Sequence, residues 1–266
     1  MDLVQAIVLG LVQGLTEFLP VSSSGHLVVV PALLGWEKPP LTFDVAVHLG
    51  TLGAVVAYYR RDLSALLQAL ARGIGSAEAR RTESWRLGLL LVAGTIPAAL
   101  AGLLGRRVFE SAFENPAGVA VAWLVTAAFL VAAPRGGSKR EPGQLSFLDA
   151  IVIGCAQALA LFPGISRSGA TVVGGLFRGL SREMAPRFGF LLAVPAILGA
   201  GVLSAPEFTR AGGTDGGLLL LGAVVAGGSG YLAIATFVRV ITRGRLALFA
   251  AYLAPVAGVA LLLTPR

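Results

Sequence analysis

The sequence predicts an all-α polytopic membrane protein built as an inverted-topology repeat, each half a re-entrant helix hairpin followed by three transmembrane helices. Six spans and two hairpins then make a single membrane domain over 1–266, with repeat 1 at about 1–133, repeat 2 at about 145–263 and a connector at about 134–144. Three observations predict this: scarce charge, six long apolar runs, and one segment that occurs twice.

Hydrophobic residues make up 56% of the chain and charged residues only 13%, against roughly a quarter charged in soluble domains. Apolar runs at about 43–60, 86–105, 117–133, 185–204, 217–239 and 246–263 approach or exceed the ~20 residues that carry a helix across ~30 Å of hydrocarbon. Glycine is frequent in them, which suits close helix packing in lipid. Gly227-Gly228-Ser229-Gly230 in the fifth run is read as such a packing site rather than as a point of unwinding. The formal net charge of +7 is an orientation signal here, and no RNA- or DNA-binding motif accompanies it. Met1-Asp2 lacks a basic leader region, so the first apolar segment is expected to stay in the mature chain. Cys155 is the only cysteine, which excludes an internal disulfide or a thiolate metal cluster. It reads as a small buried apolar filler.

The duplicated segment runs over 6–26 and again over 150–170. Both copies have an apolar half-helix, a break (Pro20, or Pro163 with Gly164), a serine-rich corner and a second short apolar stretch. Irregular backbone at membrane depth survives only where protein or a water-filled cavity surrounds it, so each copy reads as a re-entrant hairpin. Loops 61–85, 134–145, 178–187 and 240–245 then share one side, and 35–42, 106–116 and 205–216 the other. The first set holds twelve Lys and Arg, the second four, which puts the first set in the cytoplasm and both termini outside. Three spans per repeat invert the second copy, and the two corners can meet near the midplane, as in many secondary transporters. Residues 72–82 and 134–144 read as mobile polar connectors.

The copies differ in charge. Glu17 and His26 occur only in the first and Arg167 only in the second, which points to one composite site. Gln13 and Glu17 share a helix face, and an ionised Glu17 in apolar sequence needs a partner or water. Ser22, Ser23, Ser24 and Gly25 begin the next short helix, where backbone N–H groups and hydroxyls form an anion site or simply a cap. In the second corner Gly164 and Gly169 allow close approach, Ser166, Ser168 and Thr171 supply hydroxyls, and the Arg167 fork suits phosphate oxygens. Together these read as a phosphate site with an acid or base and a nucleophile. Asp44 reads as a first-turn acid favoured by its helix dipole. His48, beside Thr51, reads as a hydrogen-bonded structural histidine that could reach the cavity.

Gln13-Gly-Leu-Thr-Glu-Phe-Leu-Pro-Val-Ser-Ser-Ser-Gly-His26 and Pro163-Gly-Ile-Ser-Arg-Ser-Gly-Ala-Thr171 resemble the two signature motifs of the undecaprenyl pyrophosphate phosphatase (bacitracin-resistance) family. The resemblance covers essentially the whole chain. It implies hydrolysis of undecaprenyl diphosphate to undecaprenyl phosphate, which recycles the lipid carrier of peptidoglycan synthesis and confers bacitracin resistance. It also implies a multi-pass protein of the bacterial plasma membrane, with its site opening to the periplasmic or outer side. The catalytic set carried over is Glu17, Ser23, His26 and Arg167, with Ser22, Ser24, Gly25, Ser166, Ser168, Gly169 and Thr171 around the phosphate. Mg2+ or Ca2+ is implied as cofactor, with Glu17 and Gln13 as its candidate ligands. Gln13 stands where the family allows Glu or Gln, and Gln is the weaker ligand for a hard cation. The implied partners are a polyprenyl diphosphate and membrane lipids, with a homodimer as a further expectation. The rival expectation is a flippase of undecaprenyl phosphate using the same inverted-repeat site; a structural or channel role leaves Glu17 and Arg167 unexplained.

Overall fold

Side-chain oxygens mark most helix starts by taking up first-turn amides that have no partner within the helix. Asp2 and Gln5 form a capping box on α1, Leu3–Phe18. Ser22 caps α2, Ser23–Leu34, and Pro40 precedes α3, Leu41–Tyr58. Next come α4, Arg60–Gly73, and α5, Glu83–Leu104, which Thr82 caps. The short α6, Arg106–Ala112, leads to α7, Pro116–Ala132, which has Asn115 as cap and proline at its first position. Ser146 and Asp149 form a capping box on α8, Phe147–Leu159, and Ser166 caps α9, Arg167–Phe177. The chain ends with α10, Met184–Arg210, α11, Gly216–Thr242, and α12, Ala247–Leu263. This computed structural model describes residues 1–134, 140, 144–210 and 215–263, and contains no β-strand among them.

Four helices are long and apolar enough to cross a membrane: α3, α5, α11 and the Met184–Pro206 part of α10. The pair α6 and α7, bent by 100° at their junction, passes the same test when taken together. Large apolar side chains such as Leu104, Val202, Leu220, Leu232 and Leu262 point outward. So much exposed apolar surface suits lipid and not water. The protein is a multi-pass membrane protein.

One stretch differs from expectation. Residues 61–85 hold α4, whose Leu66 and Ala69 are buried while Arg60, Arg61 and Arg72 stay exposed. Within 72–82 the chain is also held: Arg80 donates to the carbonyls of Gly73 and Ile74 at 2.6 and 3.0 Å, and Ala79–Arg81 form a 3-10 turn. Apolar residues at helical spacing (Leu63, Leu66, Leu67, Leu70) build α4, a pattern too short and too charged to register as a span. Most of 134–144 lies outside the described residues. Arg140 bridges the carbonyl of Arg178 at 2.8 Å and Asp149 Oδ2 at 3.0 Å. Arg178 Nε is 2.6 Å from the other oxygen of this buried carboxylate.

The two hairpin arms lie against helices distant in sequence. The first arm, α1, packs along α11, and its counterpart α8 along α5; α3 meets α10, and α7 meets α12. Missing side chains permit the first two contacts. A Cβ on Gly10 would sit 2.8 Å from the Gly222 carbonyl oxygen, and one on Gly154, 144 residues later, would run into the Gly94 carbonyl. Gly227–Gly230 stay helical inside α11, as the packing reading expected. Phe18 meets Phe190 edge-on at 5.4 Å, and Phe190 meets Phe237 at 5.7 Å. This buried aromatic row anchors the end of α1 that carries Glu17.

Candidate active site

The two serine-rich corners touch. Ser22 Oγ accepts from Gly25 N–H within its own corner, and from Gly164 N–H of the other at 3.1 Å. In the reverse sense Ser168 Oγ donates to the Leu19 carbonyl at 3.1 Å. Gly164 takes a φ of +94° at this crossing, and Ser22, the one non-glycine residue with positive φ among those described, takes +67°. Strained backbone of this kind is kept where surrounding bonds over-determine it. Thr126 of α7 ties the second corner down, donating to the Gly164 carbonyl at 2.9 Å and accepting from Ser166 N–H at 3.1 Å.

Beside this junction lies a cavity of about 410 Å3. Glu17, Ser22, Ser23 and Ser24 line it from the first hairpin, and Ser166 and Arg167 from the second. Its mouth is bounded by Lys38, Arg106, Phe109 and Glu110. Lys38 pairs with Glu114 and Arg106 with Glu110, each at 2.6 Å.

Glu17 is the hub. Its Oε2 accepts from the Ser23 hydroxyl in a short hydrogen bond and from Gln13 Nε2 at 3.1 Å. Arg167 Nη1 approaches Oε1 to 3.4 Å, yet this buried nitrogen has no hydrogen-bond partner. A charged donor left open in a cavity is ready to hold an anion. The arrangement sets a hydroxyl on a carboxylate, next to an arginine and two helix starts. Chemically it can deprotonate a serine and neutralise a phosphoryl group on the same face.

The other sequence candidates divide. Gly25 is covered by Trp123, with an added Cβ only 2.6 Å from its Nε1, so Gly25 is a packing position. Ser168, Gly169 and Thr171 are buried behind Ser166, and Thr171 donates to the Arg167 carbonyl at 2.8 Å. Ser22 caps α2, one of the two readings given for the first corner, and Ser166 caps α9 in the same way. His26 does not meet Glu17. Its Nδ1 lies 2.7 Å from the Ser22 carbonyl, its Nε2 2.9 Å from the Tyr252 hydroxyl, and its ring 4.7 Å from Trp123. His48 meets Glu17 instead, with Nε2 at 3.8 Å from Oε2. It is hydrogen-bonded within its helix and reaches the cavity, as expected; its approach to Glu17 joins α1 and α3, which are brought together only by folding. Asp44, in the first turn of α3 as expected, also lines the cavity. Cys155 is exposed on α8 and not buried as expected; its neighbours Ile153 and Gly154 face inward.

An anion-binding site cut into a multi-pass helical membrane protein defines a class, the membrane-embedded enzymes of phosphorylated lipids. Comparison with known proteins gives the family. The family model described as bacitracin resistance protein BacA matches residues 6–259, so the chain belongs to that family. The undecaprenyl-diphosphatase of Alcanivorax borkumensis is 45% identical over 265 residues, covering 98% of both chains. That of Acaryochloris marina is 43% identical over 264 residues with the same coverage. That of Rubrobacter xylanophilus is 44% identical over 263 residues, 95% of this chain and 94% of the other.

Proposed function

We propose that this protein is an undecaprenyl-diphosphatase, hydrolysing undecaprenyl diphosphate to undecaprenyl phosphate and inorganic phosphate. The observation that carries the proposal is the Ser23 hydroxyl held on buried Glu17 beside the open Arg167 donor. The relatives named above act on this substrate by name. Transport, the rival expectation, draws no support from them.

In this reading Arg167 and the starts of α2 and α9 hold the terminal phosphate, stabilising charge as it develops there. Ser23 attacks phosphorus in line with the bridging oxygen, and Glu17 accepts its proton. The lipid phosphate leaves, and water releases the phosphate from Ser23. The polyprenyl tail lies in lipid, entering between helices.

The donor set does not fit a Mg2+ or Ca2+ ion held by protein alone. Glu17 faces Arg167, His48, Ser23 and the amide of Gln13, and no group of three His, Cys, Asp or Glu suited to a metal occurs among the described residues. Hard cations prefer several oxygen ligands. The family's cation is accordingly assigned to the diphosphate, which brings its own oxygens.

The inverted repeat with six spans is part of the same proposal. Support comes from the paired caps at Ser22 and Ser166, and from the exchange in which α1 lies on α11 and α8 on α5. The 17-residue α7 and α12 complete the six. A single domain in the bacterial plasma membrane, cavity mouth and termini outside, follows from the distribution of Lys and Arg. Homodimer formation is left as a proposal without a residue-level argument.

The test is phosphate release from undecaprenyl diphosphate by purified protein in detergent, with and without divalent cation, beside Arg167→Ala. Release by the parent protein and a loss of at least ~100-fold in the variant is expected. No release by folded protein under any cation condition would refute the hydrolase.

A further inference from the structure

The site contains a second histidine in a better position than the one in the motif. His48 Nδ1 lies 2.7 Å from the Asp44 carbonyl oxygen, which can only accept, so Nδ1 carries the proton and Nε2 offers its lone pair. That lone pair lies 3.8 Å from Glu17 Oε2, the oxygen that also receives the Ser23 hydroxyl. At 3.8 Å the two acceptors make no direct hydrogen bond, and a water between them can pass a proton from one to the other. His48 also lines the cavity, with about a quarter of its side chain exposed (26%). His26 is the opposite case, both ring nitrogens being occupied by Ser22 and Tyr252.

We propose that His48 is the proton-relay partner of Glu17, a positioning residue for the reaction, and that His26 only holds the shape of the first corner. The inference rests on the phosphatase reading and deepens it. The Ser23 O–H bond breaks as the Oγ–P bond forms, and its proton passes to Glu17, from which a water hands it to His48 Nε2. The bridging P–O bond breaks, and the lipid phosphate leaves with the electron pair. Water then attacks phosphorus and gives a proton to the Glu17–His48 pair, while Ser23 takes the earlier proton back. One proton per turnover leaves through the cavity mouth. The charged and titratable groups around His48 are Glu17 on α1, Arg167 on α9, Asp44 on its own helix, and Lys38, Arg106 and Glu110 at the mouth. From α10 only apolar residues and Ser204 line the cavity.

The test compares His48→Ala, His48→Gln and His26→Gln, each verified folded by thermal melting, in the same phosphate-release assay. His48→Ala is expected to lose ~100-fold in kcat, the scale of one proton-transfer group, with KM within about twofold. Imidazole added to His48→Ala should restore at least tenfold, because the cavity is open. His48→Gln fills the space of the imidazole without its basicity, so it should lose as much kcat as His48→Ala, and His26→Gln should gain nothing from imidazole. Near-parental kcat in both His48 variants, or a loss in His48→Ala that imidazole does not relieve, would overturn the inference. Absence of turnover by the parent protein would instead remove the phosphatase reading, and this inference with it.

Discussion

Matched residues do different work in the two corners. Ser22 and Ser166 are 144 positions apart and both cap a helix, but the next residue is Ser23 in one copy and Arg167 in the other. The common cap fixes where that side chain emerges, and the substitution decides whether a hydroxyl or a cation emerges there. Arg167→Lys is accordingly expected to lose at least ~100-fold in kcat/KM, because an ammonium cannot present two parallel donors to phosphate. Parental turnover of that variant in the phosphate-release assay would remove the bidentate role. Glu17 tolerates burial because three donor or cationic groups face it: Gln13, Ser23 and Arg167. An unpartnered carboxylate at that depth would be costly.

At the scale of helices, close contact is bought with glycine rather than with bulky packing. α1 and α11 approach through Gly10 and Gly222, and α8 and α5 through Gly154 and Gly94. Dispersion contacts and the close approach of backbones hold helices together in lipid, where no hydrophobic difference drives them. Gly10→Val and Gly154→Val are each expected to destabilise by ~1–3 kcal/mol, the usual cost of overpacking. Thermal unfolding in detergent would measure it, and an unchanged midpoint would contradict the packing. The Gly10 change should also lower turnover, since α1 carries Glu17 into the site. α4 was missed as a helix because its pattern is amphipathic and brief, although its apolar spacing was present in the sequence all along.

For the whole molecule, the prediction concerns orientation. With Cys155 replaced by serine, Glu37→Cys should react with a membrane-impermeant thiol reagent on intact cells, and Glu78→Cys only after permeabilisation. Both positions are exposed, so access alone decides the outcome, and the reverse pattern would invert the topology. Hydropathy was sufficient to place the four long apolar helices among the described residues within a few residues, as α3 at Leu41–Tyr58 against an expected 43–60 illustrates. Repeat and motif singled out Glu17, Ser23 and Arg167, because polar residues in apolar sequence stand out for their desolvation cost. Sequence by itself thus determined the membrane class, the family and the residue types of the site. Only the tertiary structure decided that Arg167 and His48 reach Glu17, that His26 turns to Tyr252, and that Cys155 faces outward. Those are contacts between helices far apart in the chain, set by which faces pack together, and no local pattern records them.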